Sequence, residues 1–256
     1  MNILVCVKQV VARDSVLRID PDGKWILDDG LTFEMNEPDT YALEEALRLK
    51  EKHGGEVIAV TAGPERSAST VREALAKGAD RGIHIEDERF AEADTFATAQ
   101  ALAAAIEKEP HDLILTGLQS DDSGFGQTGV VLAELLGLPH ATIIMEIDAS
   151  GNQLRCKREL EAGWYQNVTL PKPALLTIQS GINKVRYATL MGIKRARRKP
   201  FTRYTPDDLG IAVTAKQRLQ RLYQPQQTQQ TEFLQGTSRE ISEQLVAKLR
   251  FEARVL

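Results

Sequence analysis

Apolar positions in the first two thirds of the chain follow two alternating rhythms. Short, mostly apolar runs at Ile3–Val7, Val57–Thr61, Gly82–Ile85 and His111–Thr116 read as strands buried on both faces. Between them, apolar residues return every three or four positions, the period of a helix with one buried face. Pro38 opens the first such helix, with Leu43, Ala46 and Leu47 inward and Gly54–Gly55 ending it. Glu44 and Arg48 are predicted to pair one turn apart on its exposed side. Pro64 and Ser67 introduce a second helix, with Val71, Ala74 and Leu75 inward and Gly78 as its stop. Asp94 caps an alanine-rich third, with Phe96, Leu102, Ala103 and Ile106 inward. A fourth opens at Thr128, carries Val131, Leu132 and Leu135, and stops at Gly137–Leu138–Pro139. Four successive βα units predict right-handed crossovers and a doubly wound, mostly parallel, Rossmann-like α/β sheet with helices on both faces. Leu17–Asp20 and Trp25–Asp28, flanking Pro21–Asp22–Gly23, predict a hairpin excursion.

After residue 140 the rhythm changes. Ala141–Ile147, Gln153–Leu160, Trp164–Leu170 and Ala174–Ile178 read as strands, expected as antiparallel additions at the end of the sheet. Beyond Lys199 periodicity is lost. Residues 224–230, QPQQTQQ, cannot build a core and read as an extended linker. A short amphipathic helix follows from about Ser238 to Leu249, with Ile241, Leu245 and Leu249 four residues apart. The expected division is therefore an α/β domain over residues 1–200 and a C-terminal arm over residues 201–256, its helix docking on a partner.

Composition narrows the class. At 256 residues the chain can bury a full core. A net charge of −4 argues against a dedicated nucleic-acid binder. Cys6 and Cys156 each lie in strand-like runs, as expected of reduced thiols in a cytoplasmic protein. The N-terminal apolar run is about six residues, shorter than the roughly 7–15 of a secretory signal. No apolar run approaches the ~20 residues of a membrane span. His53, His84, His111 and His140 are scattered without ligand spacing, so no metal site is expected. No general acid, base or nucleophile stands out.

Ligands of open parallel sheets bind at the carboxyl ends of the strands. Here those ends are Lys8–Gln9, Ala62–Gly63–Pro64 and, above all, Gly117–Gly129. Residues 113–129, LILTGLQSDDSGFGQTG, run from a strand through a Gly-, Ser- and Asp-rich turn into a helix N-terminus, a geometry that presents backbone N–H groups to an anion. Gly117, Gly124, Gly126 and Gly129 allow close backbone approach. The absence of a following lysine excludes a P-loop, and the spacing is not the dinucleotide GxGxxG. Asp121 and Asp122 are expected to bond backbone rather than chelate a cation. A second feature is residues 184–199, KVRYATLMGIKRARRK, basic without an acidic residue and interleaved with Tyr187, Leu190, Met191 and Ile193. Burial of those apolar residues under a loop, exposure on a protein-docking surface and nucleic-acid binding are all open at this point.

Taken together, several stretches resemble the β subunit of the electron-transfer flavoproteins nearly end to end. They are ILVCVKQV at 3–10, MNEPDTYALEEALRLKEK at 35–52, VIAVTAGP at 57–64, EALAKGADRGIHI at 73–85, GLQSDDSGFGQTG at 117–129, VRYATLMGIKRARRK at 185–199 and PDDLGI at 206–211. The resemblance implies an α/β heterodimer that carries electrons. Its FAD, held mainly by the α subunit, would be reduced by acyl-CoA or related dehydrogenases and reoxidised by a membrane-bound quinone oxidoreductase. The β subunit would do no bond chemistry and would hold a structural AMP. By position, Cys6, Asn36, Glu37, Pro38, Asp39, Ala62, Gln119, Asp121, Asp122, Ser123, Gly124, Phe125, Gly126, Gln127, Thr128 and Gly129 fall where that family lines its nucleotide pocket. Leu190, with Tyr187 and Met191 beside it, falls where the family meets the dehydrogenase. The chain departs from the family at Ser123–Gly124–Phe125–Gly126 and at Glu37–Pro38–Asp39. In electron-bifurcating members the same pocket holds a second FAD and the complex oxidises NADH, which is the alternative reading.

Overall fold

The computed structural model describes residues 1–225 and 231–255. In chain order the main elements begin with β1 (Asn2–Cys6), β2 (Gln9–Val11), β3 (Phe33–Met35), α1 (Glu37–His53), β4 (Glu56–Gly63) and α2 (Ala68–Lys77). There follow β5 (Arg81–Glu86), α3 (Thr95–Ile106), β6 (Leu113–Gly117), α4 (Thr128–Leu135), β7 (His140–Asp148), β8 (Gln153–Glu159) and β9 (Tyr165–Pro171). The last are β10 (Ala174–Ile178), α5 (Leu190–Ala196), β11 (Phe201–Tyr204) and α6 (Ser238–Ala247). Nine strands form one sheet in the order β11-β5-β4-β1-β6-β10-β7-β8-β9. All pairs from β11 to β7 are parallel, and β8 and β9 add antiparallel beyond β7.

Alternate residues of the central strands feed two cores, as a period of two requires. Ile3, Val5, Leu113, Leu115 and Leu176 meet Leu43, Leu47, Val71 and Leu75 of α1 and α2. Leu4, Ile58, Ile114 and Leu175 meet Leu102, Ile106 and Leu132 of α3 and α4. The doubly wound parallel architecture follows from this two-sided burial.

Four expectations are corrected. Ala174–Ile178 is no terminal antiparallel strand: β10 lies between β6 and β7, parallel to both. All five of its residues are buried, the mark of a central parallel strand. Residues 141–147 are likewise parallel to β10, leaving only β8 and β9 antiparallel. Phe201–Tyr204, placed by the pattern outside the α/β domain, forms the sheet's edge strand beside β5. The pair Glu44–Arg48 is not formed: Glu44 is buried and holds Arg186, while Arg48 lies near Glu45. The predicted hairpin excursion forms: Ile19 bridges Ile26, Asp20 N–H donates to Trp25 O and Leu27 N–H to Arg18 O, around a turn closed by Gly23 N–H to Asp20 O. β2 and β3 form a small antiparallel ribbon that no pattern announced.

Past β11, Leu209, Ile211 and Val213 pack on the α3–α4 core, and Asp94 Oδ2 accepts from the N–H groups of Lys216 and Gln217. Leu222 N–H donates to Gly23 O at 2.6 Å. The polar tract read over 224–230 lies, from residue 226 onward, outside the described residues. α6 begins at a full capping box, Thr237 with Glu240, and leaves Leu245 and Val246 about half exposed. No helix of the described residues is long and apolar enough to cross a membrane.

His84 of β5 is fully buried, its Nε2 3.0 Å from Gly63 O and its Nδ1 3.5 Å from Glu86 Oε2. Burial holds its pKa below the usual 6.5. The unfolded chain therefore takes up the proton first, and stability present above pH 6.5 is lost as pH falls below it. Urea unfolding should show this loss between pH 6.5 and 5.5, no steeper than about 1.4 kcal/mol per pH unit. In His84→Gln the slope should flatten. An unchanged slope would assign the acid sensitivity to other groups.

Candidate functional site

The carboxyl ends of β1, β4 and β6 lie side by side, and one side chain from α1 ties two of them together. Asp39, in the first turn of α1, is buried. Its Oδ2 accepts from Lys8 N–H at 2.7 Å, just past β1, and its Oδ1 from Gly117 N–H at 2.9 Å, at the end of β6. Burial pushes its carboxyl up to about 7, although the two amide bonds favour the charged form. The sign is that of a costly carboxylate: its contribution to stability is greatest below pH ~4 and falls as pH rises towards 7. Gly117 is required here by close approach, because a Cβ would collide with Asp39 Oδ1 and lie 2.8 Å from Pro38 Cβ.

Asn36 does the second half of the fastening. Its buried amide donates to Gln119 O at 3.0 Å and accepts from Asp121 N–H at 2.9 Å, so one side chain holds both ends of a loop turn. Asp121 Oδ2 reciprocates by accepting from Glu37 N–H at 3.1 Å, capping α1 from across the loop. Arg13 bridges Glu37 and Asp121, and Lys8 Nζ lies 2.7 Å from Asp122 Oδ1. Asp122 also accepts from its neighbour's backbone, Ser123 N–H, at 2.6 Å. Although burial alone would raise Asp122, the Lys8 ammonium and these bonds hold it below the usual carboxylate range. Asp122 thus bonds its own loop backbone, whereas Asp121 reaches across to that of α1. Arg13 was missed as a site residue, and Lys8 was placed at the strand end without its acidic partner; their signal was positive charge close to the end of β1.

The loop then turns into α4. Gly124 and Gly126 both sit at φ +63°, in the left-handed region that favours glycine, with Phe125 between them and more than half exposed. Gln127, the N-cap residue of α4, makes no side-chain cap. Its Oε1 instead accepts weakly from Thr95 Oγ of α3 at 3.4 Å. Among the described residues, none of the backbone N–H groups of residues 125–130 donates to another protein atom. Gly129 sits close against the sheet, where a Cβ would lie 2.6 Å from Thr177 Cγ2 and 2.8 Å from Thr116 Oγ.

Cys6 and Ala62 lie on the same sheet face as α3 and α4, at the ends of β1 and β4. Burial, with the Asp39 charge beside it, raises the Cys6 thiol well above its usual range, so it is neutral and unreactive. The predicted residues therefore sort into two groups. Asn36, Glu37, Pro38, Asp39, Gln119, Asp121, Asp122, Ser123 and Gly124 build and brace the loop. Phe125 to Gly129, with Cys6 and Ala62 on the same side of the sheet, are the part able to face a ligand. Since Lys8 and Arg13 are occupied by acids, anion affinity here would come from backbone dipoles rather than side-chain cations. Among the described residues no group of three or more His, Cys, Asp or Glu could hold a metal ion.

The basic segment resolves differently from the loop. Tyr187, Leu190 and Met191 are 93%, 87% and 58% exposed, so burial under a loop is excluded. Thr189 caps α5 by accepting from Gly192 N–H at 3.0 Å, which puts Leu190 at the helix's first, outward position. Two of the cations are spent internally, Arg186 on Glu44 and Glu51, and Lys199 on the Leu75 and Ala79 carbonyls ending α2. Lys184, Lys194, Arg195, Arg197 and Arg198 remain exposed around the apolar residues.

Residues 24–209 match the electron transfer flavoprotein domain. The chain belongs to the electron transfer flavoprotein family. It is 38% identical over 259 residues to the electron transfer flavoprotein subunit beta of Homo sapiens, covering 100% of this chain and 99% of that one. Against the subunit beta of Bacillus subtilis (strain 168) it is 37% identical over 261 residues, covering the whole of both. Against that of Methylophilus methylotrophus it is 37% identical over 254 residues, covering 95% of each.

The bracing role of Asp39 has a measurable edge. In Asp39→Asn one of the two amides, Lys8 or Gly117, must face an NH₂ group. That unpaired buried donor should cost about 1–3 kcal/mol in the unfolding free energy at neutral pH. A loss below experimental error in chemical denaturation would show that the strand ends do not depend on the bridge.

Proposed function

We propose that this chain is the β subunit of a heterodimeric electron carrier and holds AMP at the start of α4. What supports this is the run of free backbone amides from residue 125 to 130, an uncapped helix N-terminus suited to a phosphate. Asp121 and Asp122 each lie against a cation, Arg13 and Lys8, which lessens their opposition to an anion. The residues fit a nucleotide: Cys6 and Ala62 offer small side chains, and Phe125 offers an exposed aromatic face for a base. The same exposed ring also favours a second reading, in which an isoalloxazine occupies the site of a bifurcating, NADH-oxidising complex. FAD would be carried mainly by the α subunit, on which the C-terminal arm with α6 would dock. Acyl-CoA or related dehydrogenases would give electrons at the Leu190 surface, where charge speeds encounter and the apolar residues hold the contact. A membrane-bound quinone oxidoreductase would receive them, and the work would be done in the cytoplasm.

Acid extraction of the purified αβ complex tests the occupant. One flavin and one AMP per pair are expected, and two flavins without AMP would establish the second reading instead. In Gly126→Val a branched side chain is forced to a positive φ, at a strain on the order of 1–3 kcal/mol, enough to lower nucleotide retention roughly tenfold. Full AMP occupancy in that variant would remove the loop from the phosphate site. Leu190→Ala should raise the apparent KM for the flavoprotein in an acyl-CoA dehydrogenase assay roughly tenfold, with flavin content unchanged. Unaltered kinetics would rule out the docking role.

A further inference from the structure

Residues 179–189 connect β10 to α5 without regular structure, yet α1 grips them at two points, Asn183 and Arg186. Arg186 donates from Nε and Nη2 to the two oxygens of Glu44, at 2.7 and 3.0 Å, and from Nη1 to Glu51 at 2.6 Å. Its backbone N–H adds a bond to Glu44 Oε2 at 3.2 Å. Three residues earlier, Asn183 Nδ2 donates to Tyr41 O and Glu45 Oε2, both at 3.0 Å. Glu44 and Glu45 are only 5% and 8% exposed. Buried carboxylates on a helix face are costly unless paired, and packing of α1 alone does not demand them. The far end is held as firmly: Lys199 Nζ bonds the Leu75 and Ala79 carbonyls, and Gly192 packs on Ala76 O so closely that a Cβ would collide. Between these two anchors stand Tyr187, Leu190, Met191 and Ile193, all exposed.

We propose that Arg186 is a positioning residue for electron acceptance, its fork on Glu44 and Glu51 setting Leu190 in the orientation that a dehydrogenase engages. The proposal rests on the docking reading above. Ordering an irregular segment in advance spares the complex that entropy on binding, so the gain appears in affinity for the dehydrogenase rather than in turnover. A planar guanidinium reaching three carboxylate oxygens is not replaced by lysine, whose ammonium is a single point charge. α1 therefore works at two places, bracing the glycine loop with its first turn and the docking segment further along.

The test uses the assembled αβ flavoprotein carrying Arg186→Met, Arg186→Lys, Leu190→Ala or Arg186→Met with Leu190→Ala. Amide hydrogen exchange at residues 186 and 192, whose N–H groups are bonded to Glu44 Oε2 and Thr189 Oγ, should rise at least tenfold in Arg186→Met and less in Arg186→Lys. In an acyl-CoA dehydrogenase assay the KM for the flavoprotein should rise roughly tenfold in Arg186→Met, with kcat, flavin and nucleotide content unchanged. The double variant should be no worse than Leu190→Ala, because Arg186 acts through Leu190. Unchanged exchange in Arg186→Met, or KM penalties that simply multiply, would overturn the proposal. A Leu190→Ala variant with unaltered KM would instead refute the docking reading, and the exchange data would still decide whether Arg186 orders the segment. Should Arg186→Met fail to assemble, Arg186→Lys decides by the same exchange measurement.

Discussion

Where parallel strands end, their last amides lose ladder partners, and the buried carboxylate of Asp39 answers that need for two strands at once. By accepting from Lys8 and Gly117 it fixes the ends of β1 and β6 against the first turn of α1. Everything at this edge of the sheet depends on that register. The loop after β6 leaves Gly117 in a set direction, Asn36 then clasps Gln119 and Asp121, and the chain arrives at α4 with its first amides free. The arrangement has a cost, visible in the raised pKa of Asp39, and the fold bears it because the alternative is two orphaned amides at the strand ends.

Charge is distributed by task. At the glycine loop two cations are taken up by three acids, Lys8 by Asp122 and Arg13 by Glu37 and Asp121, so what remains to attract an anion before α4 is the peptide dipoles. Around α5 the cations left over after internal pairing surround apolar side chains in open water. A chain of net charge −4 thus shows a locally positive face, which a whole-chain sum conceals.

The sequence revealed most where local physics dominates. The two-sided apolar runs of β1, β4 and β6 and the stops at Gly54 and Gly78 were legible because burial and backbone freedom leave compositional marks. Strand order was not legible for β10: its five apolar residues announce burial on both faces but carry no label saying which strands flank them. β11 is four residues long, with two polar positions facing out, too short for any period to register. In the site, the glycine loop was legible by residue type, whereas Lys8, Arg13 and the buried Glu44 acquire their roles through partners far away in the chain. Exposure of Leu190 was equally hidden, since an apolar residue amid cations reads the same whether covered or not.

The placement of β10 has a consequence for biosynthesis. As the polypeptide emerges, β6 and β7 are complete well before the strand that must lie between them, with Ala174 opposite Leu113 and Leu175 opposite His140. Until Ile178 has cleared the ribosome, both strands expose unpaired apolar edges. Until Tyr204 follows, β5 does too. Contacts of such sequence separation close slowly. Closure of the sheet thus waits on segments that come late in the chain, and edges left open until then are of the kind that promotes association.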